Sequence, residues 1–254
     1  MLQTILADVG IDSTTLLLML LAAFLTAVFH SVSGLAGALL LVIILAPFLG
    51  IKTAVPLVSV AIIISNITRL WVFRRELNKP IFLALISTAL PGMVVGALMF
   101  VYLPVKTIAL LLAIFLTISV PGRRLLKNQG LKVGRWGFAV IGPVYGLISG
   151  VTMGAGLFLA PFFLGAGIVG GRMIAMTAAL GISLNITKAT IFSVSPLLNF
   201  PMICVGLLMG LCTIPGAYVG RWILHRTSIH VHTTLVEMVI IAGAVFFFSQ
   251  AFST

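Results

Sequence analysis

Long apolar runs follow one another along the chain, separated by short joints rich in Gly, Pro or Arg and Lys. They read as segments 13–30, 35–49, 54–73, 80–101, 105–121, 136–150, 155–167, 172–192, 200–222 and 232–250. Most approach the roughly 20 residues with which a helix crosses a hydrocarbon core about 30 Å thick. Several joints are chemically marked. Gly50 stands before Lys52, Pro80 follows a basic loop, Pro104 opens the fifth segment, and Pro121-Gly122 closes it. Segments 35–49, 136–150 and 155–167 are short for a crossing and suit half-spanning or re-entrant helices. The pattern predicts an all-α integral membrane protein without an extramembrane domain.

Composition supports this. The chain is 61% hydrophobic and 7% charged, whereas a soluble domain carries about 25% charged residues, so lipid must be its solvent. The net charge of +11 would point to nucleic acid in a soluble protein. Here it is better explained by basic loops that fix orientation, and no nucleic-acid partner is expected. Counting each segment as one crossing puts Arg74, Arg75, Lys79, Arg123, Arg124, Lys127, Lys132, Arg135, Arg172, Arg221 and Arg226 on one side. Lys52, Lys106 and an N-terminus bearing Asp8 and Asp12 lie on the other. The basic side should be cytoplasmic and both termini outside. The acids near the N-terminus argue against a cleavable signal peptide. Cys204 and Cys212 have neither redox nor metal-site spacing and read as inert thiols.

The apolar runs also repeat. "NITR" at Asn66 returns as "NITK" at Asn185, 119 residues on. "NKPI" at Asn78 returns as "NFPM" at Asn199, and "PGMVVG" at Pro91 as "PGAYVG" at Pro215. Upstream, "SGLAGALLLVIILAPFLG" at Ser33 resembles "SGVTMGAGLFLAPFFLG" at Ser149. The matches keep their order at nearly constant offset, so the chain divides into halves 1–121 and 136–254 joined by a basic linker, 122–135. Each half has five segments. An odd number makes the halves enter the membrane from opposite sides, an inverted-topology repeat of the kind recurring in secondary transporters.

These paired Gly-rich segments, each followed by a helix ending in "NITR" or "NITK", resemble the TauE/SafE anion permeases. The resemblance spans nearly the whole chain. It implies export or uptake of small anions, including sulfite and organosulfonates, across a bacterial inner membrane. One departure from symmetry stands out: the second half has "GAG" at Gly154 to Gly156 before its Leu-Ala-Pro, and the first has only "GLAG". The two half-sites are therefore expected to contribute unequally.

Candidate substrate-binding residues fall into two groups. The Gly-rich turns supply Ser33, Gly34 and Gly37 from the first half, and Ser149, Gly150, Thr152, Gly154 and Gly156 from the second. If the turns re-enter, their tips meet near the midplane and offer amides and hydroxyls to an oxyanion. The competing reading is close helix packing through small residues. The second group is Asn66 with Arg69 and Asn185 with Lys188. Each cation lies about 24 Å along its helix, so it either snorkels to an interface or lines a cavity. The asparagines lie one turn deeper and are the stronger candidates for cavity lining.

An anion fits better than a cation, because intramembrane carboxylates are nearly absent. Glu237 is the one acid inside a segment. It is expected to pair with Arg226 or Arg221 or to couple protons, and His30 is the other titratable candidate. His225, His230 and His232 cluster in a loop but lack the further ligands a metal needs. The expected function is secondary transport of a small oxyanion, with no metal and no cofactor. The partners are that anion and the bilayer, and a homodimer is a candidate assembly. An intramembrane enzyme would need a nucleophile–base pair, a metal cluster or a CxxC, none of which is present. A channel, or a permease for another anion such as a carboxylate, stays open.

Overall fold

The computed structural model describes the backbone of residues 2–33, 36–128, 133–224, 226 and 229–252. Eleven α-helices appear among the described residues: α1 (Leu2–Val9), α2 (Ser13–Ser33), α3 (Gly37–Leu49), α4 (Ile51–Phe73), α5 (Lys79–Tyr102), α6 (Val105–Asn128), α7 (Arg135–Val151), α8 (Gly156–Gly165), α9 (Gly171–Val194), α10 (Phe200–Leu224) and α11 (Ile229–Phe252). Five of them are long and apolar enough to cross a membrane: α2, α4, α5, α9 and α10. Leucines at 17, 18, 21 and 25 of α2 are exposed, as a lipid-facing wall requires. The protein is an all-α, multi-pass membrane protein.

Every apolar segment of the sequence becomes a helix. Two boundaries differ from expectation. Pro121-Gly122 does not end the fifth segment, because α6 runs on to Asn128. A proline inside a membrane helix forfeits one backbone hydrogen bond and is tolerated, and the residues beyond it are good helix formers. The N-terminus also forms α1, which packs against α10 and α2 and buries Leu6 in the core. The short segments stay short. α3 has 13 residues and α8 has 10, about 20 and 15 Å of helix.

The repeated phrases perform the same local tasks twice. The side-chain oxygen of Asn78 accepts from the Ile81 amide at 3.2 Å, and that of Asn199 from the Met202 amide at 2.9 Å. Each caps a helix, α5 or α10, whose first turn contains proline. Replacing either by alanine is expected to cost about 1 kcal/mol, read as a small drop in thermal unfolding temperature with transport retained. The "PG" phrases mark close crossings. A side chain at Gly92 would fall on the carbonyl oxygen of Pro143 and one at Gly96 on that of Leu147, both in α7. At Gly216 and Gly220 the obstacles are the carbonyl oxygens of Phe24 and Val28, in α2. So α5 packs on α7 and α10 on α2, while α4 meets α9 and α6 meets α11. These main pairings join the first half of the sequence to the second, so neither half forms a core alone.

Two hydrophobic clusters result. One gathers residues of α1 to α4, α6, α10 and α11 with the last turns of α5, Met153, Leu157 of α8 and Phe192 of α9. The other gathers the first half of α5 with α7, α8 and α9. At one end of the bundle the basic loops come together. The Glu76 carboxylate occupies the space beside Gly171, and Arg221 lies over the Phe73 ring, 5.8 Å from its centroid. All three tryptophans are at this end, each beside an arginine: Trp71 with Arg74, Trp136 with Arg135, Trp222 with Arg226. Exposed indoles paired with cations suit a membrane–water boundary.

Candidate functional site

A cavity of about 80 Å³ lies between the two clusters, several times the roughly 10–15 Å³ that admits one water. His30 of α2, Ala38 of α3, Ile62, Asn66 and Arg69 of α4 and Met93 of α5 line one side. Tyr145, Ser149 and Thr152, the turn Met153 to Ala155, Gly156 of α8, and Thr177, Gly181, Leu184, Asn185 and Lys188 of α9 line the other. The two asparagines and two cations of the repeated phrase therefore face one space, together with the second Gly-rich turn. No acidic residue is among the described lining residues.

The cations are not snorkelling. Arg69 is 6% exposed and Lys188 1%. Helix position alone left this open, because tilt and covering by other helices decide it. Their surroundings differ. Lys188 Nζ donates at 2.8 Å to the Thr152 carbonyl and lies 3.7 Å from Met153 Sδ, so it caps the negative end of α7. Arg69 Nη2 donates to the Asn66 side-chain oxygen, and its Nε and Nη1 have no partner. Buried N–H groups are normally satisfied, and here two belong to a guanidinium at a cavity wall.

His30 is also buried, at 6% exposed. Its Nδ1 accepts from the Gly37 amide at 2.9 Å, while Nε2 has no partner. Together with Arg69 it also borders a second space of about 20 Å³, lined by Ser31, Thr68, Phe73, Tyr218 and Arg221 toward the basic end. These two side chains thus form a wall between the main cavity and a narrow vestibule.

The Gly-rich turns contribute unequally. Thr152, Gly154 and Gly156 line the cavity, and Ser149 precedes them on α7. Gly154 has φ +89°, a conformation that favours glycine, and it abuts the Leu39 side chain of α3. Gly150 is a packing residue: a side chain there would strike the backbone of Gly96 and Ala97. Gly37 lies behind His30 rather than on the cavity. Gly34 and the Ser33 side chain fall outside the described residues, as do His225 and the side chains of His230 and His232. Glu237, half-buried on α11, borders neither cavity.

Sequence reading missed Gly181 and Tyr145. Gly181 lies one turn before Asn185, whose Nδ2 donates to its carbonyl at 2.7 Å, and the Asn66 carboxamide occupies the space a side chain at Gly181 would fill. The α4–α9 crossing thereby brings the two copies of the repeated asparagine to one residue. The available signal was its place one turn upstream in the second copy, where the first has Ile62.

No curated protein and no solved structure shows a significant match to the chain. The family model described as "Sulfite exporter TauE/SafE" matches residues 19–247, nearly the whole chain. The buried cations around a cavity with no acid among its described lining accord with a family of transporters of sulfur anions, and on this match the chain belongs to the TauE/SafE sulfite exporter family.

Proposed function

We propose that the protein is a secondary transporter that carries a small sulfur oxyanion, sulfite or an organosulfonate, by alternating access. The observation that carries this reading is Arg69: a buried guanidinium with two unpartnered N–H donors on the wall of a cavity with no acid among its described lining. A bound oxyanion would satisfy both donors with charge-assisted hydrogen bonds. Asn66 orients the guanidinium, and the N-terminus of α8 at Gly156 adds its positive potential. Lys188 adds charge from the opposite end while holding the end of α7.

The two halves are read as an inverted repeat, with a pseudo-two-fold relation that would exchange the α5–α7 and α10–α2 pairs. Because the halves interlock, the moving units are taken to be the bodies around the two hydrophobic clusters rather than the sequence halves, with α5, α8 and α9, which contribute to both, flexing between them. The anion site lies at their boundary, where relative motion would open it to either side. The positive-inside rule sets the end bearing the Trp–Arg pairs in the cytoplasm of a bacterial inner membrane, with both termini outside.

A thermal-shift screen of the purified protein tests this reading against sulfite, sulfate, sulfoacetate, taurine and simple carboxylates. A specific ligand stabilises by mass action, so a sulfur oxyanion should raise the unfolding temperature. Preference for carboxylates over every sulfur oxyanion would sink the substrate class. In vesicles, anion flux should collapse when Asn66→Leu is combined with Asn185→Leu, and undiminished flux would remove the asparagines from the site.

A further inference from the structure

His30 invites a role as a proton carrier, yet its hydrogen bonding points elsewhere. We infer that His30 is an anion-binding donor with a fixed tautomer: its Nε2–H joins Arg69 Nε–H and Nη1–H on the oxyanion and carries no proton through the cycle. The inference rests on the transport reading for its ligand.

The argument starts at the first residue of α3. The Gly37 amide has no acceptor within its own helix, and it donates to His30 Nδ1 at 2.9 Å. Glycine is required there, because a side chain at residue 37 would overlap the imidazole. An N–H can donate only to a lone pair, so Nδ1 is unprotonated and the ring proton of the neutral form sits on Nε2. Adding a proton at Nδ1 would oppose two N–H groups and release the cap on α3. Nε2 is buried and unpartnered, as are Arg69 Nε and Nη1, and both side chains border the same two cavities.

The charged and titratable groups sharing those cavities are Arg69 of α4, Lys188 of α9, Tyr145 of α7, and Arg221 and Tyr218 of α10. None is a carboxylate that could pair with an imidazolium. This end of the cavity therefore offers donors, and a ligand meets it best with bare oxygens. A sulfonate or the sulfite dianion offers three bare oxygens to the three donors, whereas hydrogen sulfite in its hydroxyl form offers only two.

The test uses the full-length protein in nanodiscs, titrated with sodium methanesulfonate and with sodium sulfite between about pH 5.5 and pH 8, the range in which histidine titrates. Methanesulfonate has no proton to lose there, so any pH dependence of its affinity comes from the protein. Its affinity is expected to stay flat, while sulfite weakens on acidification. His30→Asn keeps an acceptor near the Nδ1 position and loses the donor at Nε2, so both anions should bind about tenfold more weakly. His30→Gln reaches the Nε2 position with an amide donor and should stay within about threefold of the native affinity. Histidine ¹⁵N spectra of the native protein should show Nδ1 of His30 unprotonated throughout, which needs no ligand and no variant. Methanesulfonate binding that tightens on acidification and loses this dependence in His30→Gln would overturn the fixed tautomer. Native affinity in His30→Asn would remove His30 from the ligand shell. Failure of the native protein to bind either anion would instead strike the transport reading itself.

Discussion

Replacing Arg69 by methionine is expected to abolish anion binding without lowering the stability of the unliganded protein. The two unpartnered donors would each lose a hydrogen bond to a charged ligand, worth about 1.5–3 kcal/mol, so affinity should fall at least about a hundredfold. The same change removes a buried cation that has a single hydrogen-bonded partner, Asn66. Breaking a buried ion pair is costly, but no carboxylate is paired with this guanidinium, and replacing an unpaired buried charge by an apolar side chain of similar length relieves its desolvation. Against that stands the Asn66 oxygen, left without its donor at a cost of about 1–3 kcal/mol. The balance predicts an unfolding temperature equal to or above the native one, together with loss of the sulfite-induced shift. Such opposed effects are characteristic of a residue kept for function. A variant that still responds to sulfite would show that Arg69 does not hold the anion. A variant that unfolds far below the native protein would make Arg69 a structural residue.

Gly146→Leu should prevent the protein from folding at all. A side chain at Gly146 points at the Ala89 carbonyl and the Met93 amide of α5, so it meets backbone and cannot be accommodated by a rotamer change. Gly142 and Gly150 lie one turn to either side and make the same kind of contact, with Thr88 and Leu85 and with Gly96 and Ala97. Overpacking a core costs about 1–3 kcal/mol where side chains can yield. Here two helix axes must separate along their whole contact, which joins the two halves of the chain. The expected result is no monodisperse protein on size-exclusion chromatography after detergent extraction. Gly122→Leu in α6, where nothing lies within 4 Å of a built side chain, should extract normally. Comparable yields for both variants would mean that the α5–α7 contact tolerates separation.

Much of this architecture was legible because membrane helices are written in one dimension. Each apolar run became a helix, and the "N-x-P" and "PG" phrases, read in the sequence only as signs of a repeat, serve as caps and crossings in the structure. α1 also had a signal, apolar residues at 2, 5, 6 and 9, but its eight residues are too few to stand out beside the spans. What stayed hidden depends on contacts between distant segments. The distance of Arg69 and Lys188 along their helices could not decide between interface and interior, because their burial depends on other helices, α2 beside Arg69 and the end of α7 over Lys188. Lys188 meets a carbonyl 36 residues away, and that partner is invisible in its own helix. Gly150 looked like its neighbours at Ser149 and Thr152, yet it faces α5 while they face the cavity. The roles of the repeated pair also shifted in emphasis: Asn66 bonds the guanidinium, Asn185 bonds the Gly181 carbonyl, and the unpartnered donors belong to Arg69.

The central claim, a saturable sulfur-oxyanion site reached alternately from the two sides, is tested most directly by counterflow. Proteoliposomes preloaded with unlabelled sulfite are diluted into a trace of radiolabelled sulfite. The account predicts transient accumulation of label above equilibrium, abolished by Arg69→Met and competed by methanesulfonate. Uptake that never exceeds equilibrium and grows linearly with concentration would contradict it and indicate a channel.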